Sequence, residues 1–391
     1  MNFEGVFGLI YFDNSATTKI DPAVLQTYQT VANEFWGNPS SLHHLGDRAL
    51  QMLQSARQQI ADLVKCQPDE IYFTSGGTEG DNWVIKGTAL AKREFGRHLI
   101  VSAIEHPAVL NSARQLEKMG WEVTYLPVNK AGFVTPESVA AAIRPDTVLV
   151  SVMAVNNEIG SIQPIEAIAK ILTQYPTIHF HVDAVQSVGK NLWSRVLPER
   201  VDFATFSAHK FHGPRGVGFI YAKRGRQLET LITGGGQEQD RRSGTENTPA
   251  IAAMSKALRL ALTDEASKAA HELALKQKLV DFLSALPDIT IFSPVTPDFA
   301  PHILCFALRG VRGETTVHAS EAEDIYLSTT SACSSRSGVE SGTLKAMQIP
   351  EKLATSAVRI SLDDANTEAE VEQFIKIFPK VYQRFQHMNG R

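Results

Sequence analysis

Seven short apolar runs punctuate the middle of this chain: Ile71–Phe73, Leu99–Ala103, Val123–Leu126, Val148–Val152, Ile178–Val182, Val201–Phe206 and Val217–Tyr221. Runs this short and this uniformly apolar read as strands buried on both faces. Helical segments separate most of them, among them Pro107–Lys118, Pro136–Ile143 and Ile165–Tyr175. Strand and helix in alternation make βαβ units, because parallel neighbours need a crossover long enough to bring the chain back. The expected fold is α/β, with a large domain on a mainly parallel seven-stranded sheet. Only the stretch Ser207–Gly216 joins the last two runs, so one pairing there is expected to be antiparallel. Loops at the carboxyl ends of such strands are where ligands bind.

On either side the pattern changes. Pro22 opens a helix that runs to about Asn33. From Asp47 to Val64, Leu50, Leu53, Ala56, Ile60 and Val64 keep the spacing of one buried helical stripe. After Val217–Tyr221 come two glycine-rich stretches, Gly234-Gly235-Gly236 and Ser243-Gly244-Thr245, then a helical region from Pro249 to about Leu286. From Ile289 onward short strands (Ile289–Phe292, Ile303–Leu308, Ile325–Leu327, Val358–Ser361) mix with helices, which suggests a second, smaller α+β domain. The net charge of −4 shows no basic excess that would favour nucleic acid. No apolar run approaches the length of a membrane span. The three cysteines, Cys66, Cys305 and Cys333, form no CxxC, so neither a disulfide framework nor a zinc site is indicated. That usage fits a reducing cytoplasm, and the first residues lack the basic, then apolar, pattern of a signal peptide.

The loop after Val201–Phe206 reads Ser207-Ala208-His209-Lys210-Phe211-His212-Gly213. A lysine held at a buried strand end loses some preference for its charged form, and a neutral amine can attack a carbonyl. Ser207 and His209 offer donors suited to a phosphate, and glycine lets backbone come close. A Schiff-base lysine carrying pyridoxal phosphate satisfies both observations; a solvated loop lysine is the alternative. The turn Thr74-Ser75-Gly76-Gly77-Thr78-Glu79 follows a strand and opens a helix, presenting free N–H groups to an anion. It lacks the lysine of a nucleotide P-loop, and a plain strand-to-helix turn explains it as well. Asp183, in His181-Val182-Asp183-Ala184-Val185-Gln186, ends an apolar strand where a carboxylate needs a cation. A protonated pyridine nitrogen would serve, with Gln186 near the ring oxygen; an aspartate capping the next turn is the bland reading.

Four further positions carry chemistry. His106 ends a strand in Glu105-His106-Pro107 and can stack on an aromatic ring and move protons, or be structural. The two amides of Asn156-Asn157-Glu158 can bond a ring oxygen or a carboxylate, although turn formation accounts for Asn-Asn equally. Arg359 stands among alternating apolar residues, placed to clamp a carboxylate in a fork or to pair structurally across the domain boundary. Cys333 lies in Ser331-Ala332-Cys333-Ser334-Ser335, a small-residue loop in which a thiol is reachable, whereas Cys66 and Cys305 sit in apolar contexts.

Taken together, YFDNSATT, TSGGTEGDN, EHPAVL, VNNEIG, HVDAVQS, FSAHKFHGPRGVG, GGGQEQDRRSGTEN and TSACSS, in that order from about Tyr11 to Leu362, resemble the cysteine desulfurases of the class V aminotransferase family, fold-type I pyridoxal phosphate enzymes. The resemblance implies conversion of L-cysteine to L-alanine, with the sulfur left as a persulfide on Cys333. It further implies that Lys210 carries the cofactor as a Schiff base, His106 stacks on its ring, and Asp183 holds the pyridine nitrogen. Gln186 and Asn157 fall near the ring oxygen, and Gly77, Thr78, Ser207 and His209 fall at the phosphate. Thr245 would reach that phosphate from the partner subunit of a homodimer. Asn157 and Arg359 would hold the substrate carboxylate. The sulfur acceptor would be an iron–sulfur scaffold or a tRNA-thiolation enzyme; selenocysteine lyase and aminotransferase are the neighbouring activities. Residues 19–260 would form the large domain, and 1–18 with 261–391 the small one that carries the cysteine loop. Two departures are Thr330, where the family often has glycine, and Gly80, early in a helix, where glycine costs up to about 1 kcal/mol against alanine.

Overall fold

The computed structural model describes residues 8–330 and 341–389. In chain order its strands are β1 (Ile10–Tyr11), β2 (Ile71–Thr74), β3 (His98–Ser102), β4 (Glu122–Leu126), β5 (Thr147–Ser151), β6 (His179–Asp183), β7 (Phe203–Ser207) and β8 (Gly218–Ala222), followed by β9 (Ile289–Ile291), β10 (Ile303–Leu308), β11 (Ile325–Tyr326), β12 (Ser328–Thr329) and β13 (Ala357–Ser361). Strands β2 to β8 form one seven-stranded sheet in the order β2-β8-β7-β6-β5-β3-β4. Each anticipated strand is present within a residue or two. The expected single antiparallel pairing is in fact two: β8 runs against β7 and also against β2. The physical reason is position. The short lysine loop drops β8 between β7 and β2, so it meets a reversed neighbour on each side. Strand β2 then points the same way as β7, and the Gly76-Gly77 turn emerges on the same edge as the lysine loop.

Sheet and helices close over a core whose largest rings, Phe180, Phe203, Phe206 and Phe219, are almost wholly buried. Phe206 and Phe219 stack at 4.5 Å between centroids, on the two strands that flank the lysine loop. Burial of each such ring contributes about 2 kcal/mol, so the base of that loop is rigid. The helix Gly77–Lys92 packs on this sheet through Gly80, where a Cβ would stand 2.7 Å from Thr205 Cγ2 and 2.9 Å from Ile220 Cγ2. Only glycine permits that approach, which explains a residue that looked costly in the sequence.

The stretch from Pro249 to Leu286 is two helices, Thr248–Leu262 and Glu265–Ser284, broken at Asp264 with φ +53°. Aspartate tolerates this left-handed conformation better than most residues, and the apolar pattern alone does not reveal the break. A second core gathers Leu275, Leu279, Phe306, Val358, Phe374 and Phe378 with Ile10 and Phe12 of the N-terminal segment. It lies on a four-stranded sheet of order β12-β13-β10-β9, while β1 pairs in parallel with β11. Among the described residues no helix is long and apolar enough to cross a membrane.

Candidate active site

At the carboxyl edge of the large sheet lies a cavity of about 420 Å³. Gly77, Thr78, His106, Asn157, Asp183, Gln186, Ser207, His209, Lys210 and Arg359 all line it. These side chains come from six separate turns of the chain, so their convergence is a result of the fold. Thr245 does not line the cavity and is exposed. Cys333 lies outside the described residues.

Lys210 closes a short helical turn, Ala208–Lys210, that leaves β7. Its Nζ donates to the carbonyl oxygens of Ser15 at 2.5 Å and Ala16 at 3.0 Å. The same N-terminal segment receives Gln186 Nε2 on Ser15 O at 3.0 Å, and places Thr17 Oγ1 3.2 Å from His209 Nδ1. The DNSATT turn thus forms the floor of the site.

Asp183 is the last residue of β6 and only 5% exposed. Its Oδ1 accepts from Val185 N at 3.0 Å, and burial raises its pKa while His106 and Lys210 act to lower it. His106 caps the helix Pro107–Glu117: its Nδ1 accepts from Ala108 N at 3.1 Å. Burial lowers its pKa, so the ring is neutral with its proton on Nε2. His209 is held down to about 4, by burial first and then by Lys210, and is also neutral at neutral pH.

At the other end, Arg359 Nη1 donates to Asn157 O at 2.8 Å and Nη2 to Asp13 Oδ1 at 2.8 Å. This arginine is thus tied to Asp13 and to the Asn157 backbone, and among the described residues its buried Nε has no hydrogen-bond partner. The two asparagines divide their labour. Asn156 is fully buried and builds the turn: its Oδ1 accepts from the backbone of Glu158 and Ile159, and its Nδ2 donates to Ile104 O. Asn157 is the one that faces the cavity.

The structure adds acids that were not singled out from the sequence. Asp81, Glu105 and Glu158 line the cavity, and Asp13 supports Arg359. Glu105 Oε1 accepts from Ser102 Oγ at 2.5 Å and Met153 N at 2.7 Å, while its Oε2 is buried without a partner among the described residues. Burial pushes its pKa up to about 8. Glu158 accepts from Ser341 Oγ and is pushed up to about 7, again by burial. Glu105 and Glu158 adjoin His106 and Asn157 in motifs that were noted, and polarity beside a motif was the available signal. For Asp81 the helical pattern of TEGDN gave none.

These residues fit pyridoxal phosphate. The helix Gly77–Lys92 turns its N-terminus to the cavity, and a Cβ on Gly77 would come 3.0 Å from Val185 Cγ2 and 3.6 Å from Ser207 Cβ, the space a phosphate needs beside free N–H groups. At the far end a buried carboxyl, Asp183, suits the protonated nitrogen of a pyridine ring.

A family model, aminotransferase class-V, matches residues 10–374. The chain is 58% identical to a NifS/IcsS protein homolog of Lactobacillus delbrueckii subsp. bulgaricus, over 97% of this chain and 99% of that one. It is 39% identical to cysteine desulfurase IscS of Methanosarcina thermophila, over 97% of this chain and 93% of the relative. Among solved structures, a NifS-like protein superimposes with a TM-score of 0.89 at 37% identity, covering 97% of this chain and 100% of that chain.

Proposed function

The chain belongs to the class-V aminotransferases and is a pyridoxal phosphate-dependent cysteine desulfurase, and on that premise we propose that it leaves the sulfur of L-cysteine on Cys333 as a persulfide and passes it to an acceptor protein. The observation that carries this reading is the single cavity in which Lys210, Asp183, His106 and Arg359 meet. Lys210 would hold the cofactor covalently, and its amine, when free, would remove the Cα proton. His106, neutral with its proton on Nε2, stacks on the ring and moves protons beside it. Asp183 holds the ring nitrogen in its protonated form. Gln186 and Asn157 flank the ring oxygen. Gly77, Thr78, Ser207 and His209 bind the phosphate, the last two from the turn that also positions Lys210.

Arg359 and Asn157 hold the substrate carboxylate; the unpartnered Nε of Arg359 supports that role, since a buried guanidinium N–H favours an acceptor. When bound, pyridoxal phosphate supplies the electron sink that stabilises negative charge at Cα. Removal of that proton does not itself cleave the Cβ–S bond; a Cys333 thiolate attacks the substrate sulfur, the S–S bond forming as Cβ–S breaks. The released electron pair stays on the carbon side, and protons returned at Cβ and Cα complete L-alanine. Thr245, exposed and away from its own chain's cavity, fits a role at the phosphate of a partner subunit in a homodimer. The division into 19–260 and 1–18 with 261–391, a cytoplasmic setting, and an iron–sulfur scaffold or tRNA-thiolation enzyme as acceptor complete the proposal.

The test is alanine release together with mass spectrometry after brief exposure to L-cysteine. One sulfur gained on the Cys333 peptide is expected, along with loss of turnover in Cys333→Ala. Comparable turnover by Cys333→Ala would overturn the persulfide route.

A further inference from the structure

Asp81 lies one turn into the helix Gly77–Lys92, on the face that looks to the cavity. It is 1% exposed, and among the described residues its Oδ1 has no hydrogen-bond partner. The close packing at Gly80 brings it down onto the sheet beside Thr205, whose side chain favours the ionised carboxyl while burial opposes it. Thr205 stands directly opposite Asp183 in the β6–β7 register, so the two aspartates meet from helix and sheet at one corner of the site.

The groups around that corner supply little compensating charge. His181 has both ring nitrogens within hydrogen-bond distance of hydroxyls, Ser151 Oγ at 2.9 Å and Thr205 Oγ1 at 3.0 Å, and its Nε2 stands 3.6 Å from Asp81 Oδ1. Burial holds it down to about 3, so it is neutral. His106 is neutral as well, and Glu105, pushed up to about 8, keeps its own proton at neutral pH. Among the described residues Lys210 is the cation whose charge acts on Asp183, and it is the residue that would anchor the cofactor. A pyridinium would balance one of these two buried carboxylates; the second has no such partner, so the pair keeps one proton between them.

We infer that Asp81 is a second carboxyl of the ring-nitrogen site, a positioning residue that shares one proton with Asp183 and thereby extends the pH range over which the cofactor ring keeps its own. The inference rests on the reading of Asp183 given above. As pH rises, the shared O–H proton leaves to water first. Two negative charges then face the pyridinium and hold its N–H proton more tightly than Asp183 alone would.

The test is a pH titration of holoenzyme carrying pyridoxal phosphate labelled with ¹⁵N in the ring, followed by NMR. In the wild-type protein a small shift, from loss of the pair's proton, should precede the large shift of ring deprotonation. In Asp81→Asn the small step should vanish, and the ring should lose its proton about one pH unit lower, a tenfold change. Asp183→Asn should lower it further. If Asp183→Asn leaves the ring titration unchanged, the reading of Asp183 fails. If Asp183→Asn lowers it while Asp81→Asn matches wild type, the role of Asp81 alone is overturned. Should Asp81→Asn not fold, the wild-type curve decides, since a single step contradicts a shared proton.

Discussion

Arg359 on β13 and Asp13 near the start of the chain, 346 positions apart, are joined by a 2.8 Å bond from Nη2 to Oδ1. The arginine is 3% exposed and its partner 23%, so the guanidinium is held from the protein side with Nε left over. A planar fork fixed in this way can receive a carboxylate without first reorganising. Arg359→Lys keeps a charge but not the fork. It should raise KM for L-cysteine about tenfold or more, while cofactor absorbance stays that of wild type. An unchanged KM would remove Arg359 from substrate binding.

Lys210 also makes a chemical prediction. Borohydride treatment of the yellow holoenzyme should fix the cofactor to the Lys210 peptide. Lys190 and Lys268 do not line the active-site cavity but a neighbouring one on the other side of Lys210, and should remain unlabelled. An adduct mapped to either of them contradicts the placement of the cofactor.

The thiols should separate by reactivity. Burial pushes Cys66 up to about 12, and the fully buried Cys305 is raised as well. Neither forms much thiolate at pH 8. Brief alkylation should therefore mark Cys333 first, and alkylation there should track loss of alanine release. Cys66→Ala and Cys305→Ala should keep turnover within about twofold, Cys305→Ala losing about 1 kcal/mol of stability from the gap it leaves. Loss of turnover in Cys66→Ala would contradict this assignment.

Glu105 predicts a slope in stability against pH. Its folded pKa of about 8 lies above the ordinary 4.5, so the folded protein binds more protons than the unfolded chain between those values. That contribution is present below pH 4.5 and is lost as pH rises toward 8. Glu105→Gln keeps an oxygen for Ser102 Oγ and Met153 N but cannot titrate. At pH 9 it should melt several degrees above wild type, and the difference should shrink toward pH 5. Parallel melting curves across that range would show that Glu105 is not held protonated.

Thr245 allows a test of the shared site by mixing. Lys210→Ala and Thr245→Ala should each impair the protein made alone. If Thr245 serves the neighbouring subunit, hybrids of the two contain one intact site and regain activity. If it serves its own chain, no hybrid site is intact and mixing restores nothing.

The large sheet and the residues of the lysine loop were legible because their signals are local. Short apolar runs mark strands, and a lysine among Ser207, His209 and glycine stands out against them. What escaped depends on distant parts of the chain. The double antiparallel setting of β8 follows from where β2 lies, which the loop before β8 does not encode. Gly80 read as a weak point in a helix because its reason, Thr205 and Ile220, is more than a hundred residues away. Asp81 looked like an ordinary helix aspartate for the same cause, while Asp183 announced itself by ending an apolar strand.

The DNSATT segment also sets a timetable for biosynthesis. Ser15 and Ala16 present the carbonyls that receive Lys210, yet their own position depends on residues made much later. Asn14 bonds Ser361 O and Asn366 Oδ1, and Ser15 N bonds Ser361 Oγ. While Ser361 is still inside the ribosome, the floor beneath the lysine has nothing to fasten to. A nascent chain therefore emerges with Lys210 already synthesised but without its finished pocket. A finished pocket therefore waits for β13, and a polypeptide stopped before β13 leaves its lysine beside an unanchored wall.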